Sequence, residues 1–74
     1  MTKLPTDISG RDLVQALQRI GFVVQRQRGS QFVLRRETPH ARVTVPNHKQ
    51  IRAGTLRTIL HEANLSVDQL LKLL

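Results

Sequence analysis

Residues Gln25 to Arg36 read Gln-Arg-Gln-Arg-Gly-Ser-Gln-Phe-Val-Leu-Arg-Arg. Runs with β character flank Gly29-Ser30. A two-residue loop with glycine first suits a type II′ hairpin turn, because glycine accepts a positive φ at that position. With that turn, Arg28 faces Gln31, Arg26 faces Val33 and Val24 faces Arg35. Side chains alternate between the two faces of a strand. One face then carries Arg26, Arg28, Gln31 and Arg35, with Val24 and Val33 among them. The other carries Val23, Phe32 and Leu34, diluted by Gln25, Gln27 and Arg36. The second face is the expected core side, and the first is a cationic surface with one amide at its rim. A loop one residue longer would change the pairing.

Upstream of the hairpin, a short loose arm is expected through Asp7. Ser9 then serves as N-cap, with Asp12 at N3 forming a capping-box pair and Ile8 and Leu13 forming a hydrophobic staple. Leu13, Ala16, Leu17 and Ile20 repeat at helical spacing. Gly21 is the C′ residue, and Phe22 at C″ folds back on Leu17. The resulting helix spans about 11–12 residues. Downstream, Glu37-Thr38-Pro39-His40 is a turn. Ala41 to Val45 is a third strand, with Val43 and Val45 on one side and Arg42 and Thr44 on the other, and Pro46 ends it because proline cannot donate to a ladder. Pro46 to Gln50 is a loop with no apolar anchor before Ile51. Leu56, Ile59, Leu60 and Ala63 mark a second helix, starting between Ile51 and Thr55 and closed by Asn64. Ser66, Gln69, Leu65 and Leu70 repeat the cap-and-staple pattern for a short last helix.

The order is helix, three strands, helix, short helix, in one domain over residues 1–74. Strands joined by short turns form an antiparallel meander, and its apolar face needs a helical cover. The expected fold is therefore an α+β two-layer sandwich, laid out like a double-stranded-RNA-binding domain. Leu13, Leu17, Ile20, Phe32, Leu34, Val43, Val45, Leu56, Ile59 and Leu60 are its expected core.

Composition narrows the function. The formal net charge is +7 at pH 7. So much charge on a small chain costs self-repulsion and points to a polyanionic partner such as RNA, DNA or an acidic protein. There is no Cys, Trp or Tyr. No disulfide or thiolate metal site is available, which fits a reducing cytoplasm. No apolar run approaches the roughly 20 residues that span a bilayer. The N-terminus from Met1 to Pro5 lacks the apolar core of a signal peptide. No phosphate-binding glycine loop, cysteine nucleophile or serine triad is present, and Asp7, Asp12, Glu37, Glu62 and Asp68 are scattered. The three histidines lack the spacing of a zinc site.

Gly21-Phe22, Arg28-Gly29-Ser30, Val43-Thr44-Val45-Pro46-Asn47-His48 and Gly54-Thr55-Leu56-Arg57-Thr58-Ile59-Leu60 occur in this order and spacing. From about Ser9 onward the chain resembles the HicA mRNA interferase toxins, also called the YcfA-like family. The resemblance implies a double-stranded-RNA-binding-like fold. It also implies a ribosome-independent, metal-independent RNA-cleaving toxin that acts on mRNA without a cofactor and is neutralised by a HicB antitoxin. The family motif is Gly-Ser-His with the histidine catalytic, and here Gln31 occupies that third position. A glutamine amide can donate and accept hydrogen bonds but cannot take a proton near neutrality, as a histidine can. Two readings of Gln31 stand side by side: an introduced inactivating substitution, or the natural residue of a member that has decayed or that binds RNA without cleaving it.

The candidate RNA-binding residues are Arg26, Arg28, Ser30 and Arg35 on the hairpin, extended by Lys49 and Arg52, since arginine forks bind phosphate bidentately. His48 matches the Pro-x-His of the family. It is either a phosphate contact or second acid–base group, or a loop residue that orders the turn into the second helix. His40 and His61 are expected at the surface, as are Arg57 and Lys72. Three functions compete: a HicA-type ribonuclease lacking its usual base, a non-catalytic RNA-binding module, and a protein-interaction domain for an acidic partner.

Overall fold

The computed structural model describes residues 3–74. It contains α1 (Gly10–Gln18), β1 (Val23–Arg28), β2 (Gln31–Glu37), β3 (His40–Pro46), α2 (Ala53–Glu62) and α3 (Val67–Leu73). The strands form one antiparallel sheet in the order β1-β2-β3, and the helices cover one of its faces. This is the α+β two-layer arrangement that the meander and the helical stripes require.

Local signals account for the helix ends. Ser9 caps α1 with a complete capping box: its side chain accepts from Asp12 N, and the Asp12 carboxylate accepts from Ser9 N. Such a cap contributes about 1 kcal/mol. Regular α1 stops at Gln18, earlier than the expected length, because its last turn tightens. Ile20 N donates to Leu17 O, Gly21 N to Gln18 O and Phe22 N to Leu17 O. The last two bonds make a Schellman motif, and Gly21 supplies the positive φ of 97° that the motif needs. At the end of α2, Asn64 takes the same role with φ 56°, while Leu65 N reaches Leu60 O. Ser66 and Gln69 complete the second capping box, on α3.

The core gathers Leu13, Leu17, Leu34, Val43, Val45, Leu56, Ile59 and Leu60, all expected, together with Ile8, Val14, Ala16, Phe22, Ile51, Ala63 and Leu70. Ile20 and Phe32, expected fully inside, only pack against it. The N-terminal arm is tied down rather than loose: Leu4 packs on the core and the Gln50 side-chain amide donates to Thr6 O. Residues 1 and 2 of that arm lie outside the described residues.

The hairpin holds as far as Arg26 and departs beyond it. Arg28 pairs with Gln31 and Arg26 with Val33, but Val24 pairs with Leu34 and Val23 with Arg35. The register shifts between Val24 and Arg26, so Gln25 is the extra residue of a bulge. One inserted residue swaps the two valines. Val24 turns inward against the core, and Val23 lies outward at 63% exposure. Val33 sits on the central strand between its partners Arg26 and Thr44 and is buried on the outer face, apart from the main core.

Candidate nucleic-acid interface

The site is built where the first hairpin turn meets the segment after β3. Gly29 has φ 57° and Ser30 does not enter the positive region, as a type II′ turn requires. The turn brings Arg28 opposite Gln31, and Gln31 is paired on its other side with Pro46. Directly opposed residues share a face, so Arg28 and Gln31 both look outward.

The segment Pro46–Gln50 has little apolar anchoring of its own, and main-chain hydrogen bonds along it and just after it hold it instead. Asn47 N donates to Ser30 O at 2.6 Å, Gly10 N to His48 O at 2.9 Å, and Ile51 N to Ile8 O at 2.9 Å. Gly10 is fitted to this contact, since a Cβ there would lie 2.1 Å from Pro46 O. Beyond the loop, Ile51 enters the core at 2% exposure. The loop is thus fixed to the hairpin at one end and to the start of α1 at the other.

These constraints form an open depression of about 700 Å³ whose lining includes Gln31, Thr44, His48, Lys49, Arg52 and Thr55. Four of the sequence candidates, Gln31, His48, Lys49 and Arg52, therefore meet in one place. No carboxylate is among the lining residues. The first turn of α2 opens on the same space: Arg52 is its N-cap and makes no side-chain capping bond. Free N–H groups and the positive end of the helix dipole favour an anion there. Arg28 stands beside Gln31 across the hairpin, and Ser30 contributes its carbonyl to the Asn47 tie.

The other candidate arginines run away from this point along the outer face. Arg26 is one row further, opposite Val33. Arg35 lies four residues from Gln31, about 13 Å along the strand. It forms an ion pair without a hydrogen bond, its Nε 3.5 Å from Glu37 Oε1. Arg42 pairs with Arg35 across the sheet and adds a cation that the sequence reading did not assign to the site. Strict alternation along β3 was the available signal for it. Thr44, Thr55 and the clamp residue Gly10 were also missed. For Gly10 no signal exists, since the contact joins segments 36 residues apart.

Arg36 is used differently again. Its Nε donates to Pro39 O at 3.0 Å and its Nη2 to Ala63 O at 3.3 Å, while the guanidinium carbon lies 4.6 Å from the centre of the Phe22 ring. It closes the end of α2 and covers the core. His40 and His61 are exposed and stand outside the depression.

Among the described residues, no group of three or more His, Asp or Glu side chains is arranged to hold a metal ion, and no helix is long and apolar enough to cross a membrane. The depression can do two things chemically. Its cations, amides and hydroxyls can hold a phosphate. Its single imidazole, from His48, can donate or accept a hydrogen bond at that phosphate. In comparison with known proteins, residues 10–65 match the family described as HicA toxin of bacterial toxin–antitoxin. No curated protein matches the chain.

Proposed function

The chain belongs to the HicA family of bacterial toxin–antitoxin toxins, and from that premise we propose that it binds mRNA in the depression beside the first hairpin turn. Its partner is a HicB-type antitoxin, and both act in the cytoplasm. The observation that carries this reading is the meeting of Gln31, His48, Lys49 and Arg52 in one open space without a carboxylate. Lys49, Arg52 and Arg28 neutralise the backbone, the α2 N-terminus and Thr55 hydrogen-bond a phosphate, and Arg26 extends the track along the sheet.

Cleavage by this class of chemistry begins when a ribose 2′-oxygen attacks the adjacent phosphorus. The 2′-hydroxyl gives up its proton to a base, the P–O5′ bond breaks, and the departing 5′-oxygen receives a proton. Gln31 can orient the phosphate or the 2′-hydroxyl, but its amide accepts no proton near pH 7. His48 is the one imidazole in the depression and is left to serve as its acid–base group. The chain therefore binds RNA and cleaves it slowly. Losing one general acid–base group lowers a rate by about 10²- to 10⁴-fold. The second reading, an RNA-binding module without catalysis, is favoured by Gln31 alone.

Titration of a labelled single-stranded RNA, alone and with the antitoxin encoded beside this chain, tests the proposal. Binding that weakens with salt and is displaced by the antitoxin is the expected result. Tight binding of the antitoxin with no RNA binding at low salt would assign the basic surface to a protein partner and overturn it.

A further inference from the structure

On the inner side of the same hairpin end, a second depression of about 250 Å³ opens between α1 and the first two strands. Arg11, Val14 and Gln15 line it from α1, and Gln27 and Phe32 from the sheet. Gln27 and Phe32 are cross-strand partners one step further from the turn than Arg28 and Gln31. Successive residues face opposite sides of a strand, so the two pairs look to opposite faces. The Gly29 edge of the turn is bare, with nothing within 4 Å of the position a Cβ would take.

The chemistry of this depression differs from that of the first. Val14 and the half-buried Phe32 give it an apolar floor. Its rim is one guanidinium and two neutral amides, Arg11, Gln15 and Gln27, whose side chains make no hydrogen bond or ion pair with any described residue. A phosphate would be better served by the Lys49 and Arg52 side. A flat group that is apolar on its faces and carries both donors and acceptors at its edge suits an aromatic floor and amide rim, because an amide offers both functions.

We propose that this depression takes one unpaired nucleobase of the RNA whose backbone lies in the first depression; the inference rests on the RNA-binding reading above. A strand crossing the Gly29–Ser30 turn puts a phosphate on the Gln31 side and the neighbouring base on the Phe32 side. The base contacts Phe32, its edge bonds to Gln15 and Gln27, and Arg11 donates to an acceptor on that edge. The base must be unpaired, since a duplex keeps its bases stacked and presents only groove edges. The substrate segment is therefore single-stranded where it crosses the turn.

The test is the affinity of a short single-stranded RNA and of a series of the same RNA with one abasic position each. These are measured for the wild type, for the double variant Gln15→Ala with Gln27→Ala, and for Phe32→Leu. The rim variant leaves the core untouched, and leucine keeps most of the buried volume at position 32. Each variant is expected to weaken the intact RNA about tenfold, the scale of one lost base contact, with an unchanged salt slope because no phosphate contact is removed. One abasic position should cost the wild type the same factor and cost the variants nothing further. Salt-dependent RNA binding that the rim variant leaves unchanged would overturn the base site alone. Equal weakening of intact and abasic RNA would do the same, and so would lost antitoxin affinity with RNA affinity intact. Absence of salt-dependent RNA binding by the wild type would overturn this inference together with the reading beneath it.

Discussion

The two ends of the sheet both carry cations, and they use them in opposite ways. At the Thr38–Pro39 end, Arg36 is committed to two carbonyls and the Phe22 ring, and Arg35 faces Glu37. At the Gly29–Ser30 end, Lys49 and Arg52 border an open space with His48 and Gln31 and no carboxylate. Clustered arginine in a sequence is therefore not one signal. Its meaning depends on whether carbonyls, rings and carboxylates of the same chain already occupy it. The first end is a structural joint, and the second is the one we propose for an external anion.

The largest expected effect tests the second end. Gln31→His should raise the single-turnover rate of RNA cleavage without divalent metal by about 10²- to 10⁴-fold. RNA affinity should change little, and the regained rate should show the pH dependence of an imidazole. Equal rates in the two proteins would remove residue 31 from the chemistry and shift attention to His48.

Next comes the joint. Arg36→Ala removes two charge-assisted hydrogen bonds and a cation–ring contact and should lower stability by about 2 kcal/mol. Arg28→Ala at the open end should stay within about 0.5 kcal/mol. Denaturant melts of the two variants measure the contrast, and equal losses would erase it. Gly10→Ala should cost about 1–3 kcal/mol, because its Cβ collides with backbone that cannot move freely. It should also speed amide exchange at Asn47 and Ile51, whose N–H groups tie the loop. Unchanged exchange would mean that the close approach of Gly10 does not hold the His48 segment.

Much of this was legible because it rests on local chemistry. Ser9 with Asp12, Ser66 with Gln69, Gly21 with Phe22, and Asn64 each announce a helix end through atoms a few residues apart. Gly29-Ser30 announces the turn that sets Arg28 against Gln31. The bulge was hidden by parity. Phe22 and Val24 face the core while Arg26 and Arg28 face out, and strict alternation cannot put all four even-numbered positions where they lie. One extra residue at Gln25 resolves the conflict, and it becomes readable only once Phe22 is known to be buried. The loop carrying His48 was hidden for another reason. Its ties are main-chain bonds to Ile8, Gly10 and Ser30, and a main-chain bond leaves no residue signature. The sequence brought Gln31, Lys49, Arg52 and His48 forward one by one, and only those ties make them neighbours.

The central claim is that the Gly29–Ser30 end is the RNA site and the Thr38–Pro39 end is not. The most direct test is the salt dependence of RNA affinity for the wild type, for Lys49→Glu with Arg52→Glu, and for Arg35→Glu. Each lost phosphate contact to a single strand reduces the slope of log affinity against log salt by about 0.7. The double variant should therefore lose about 1.4 from the slope and bind more than tenfold more weakly at physiological salt, while Arg35→Glu leaves the slope nearly unchanged. A slope untouched by the double variant, or reduced as much by Arg35→Glu alone, would contradict the account.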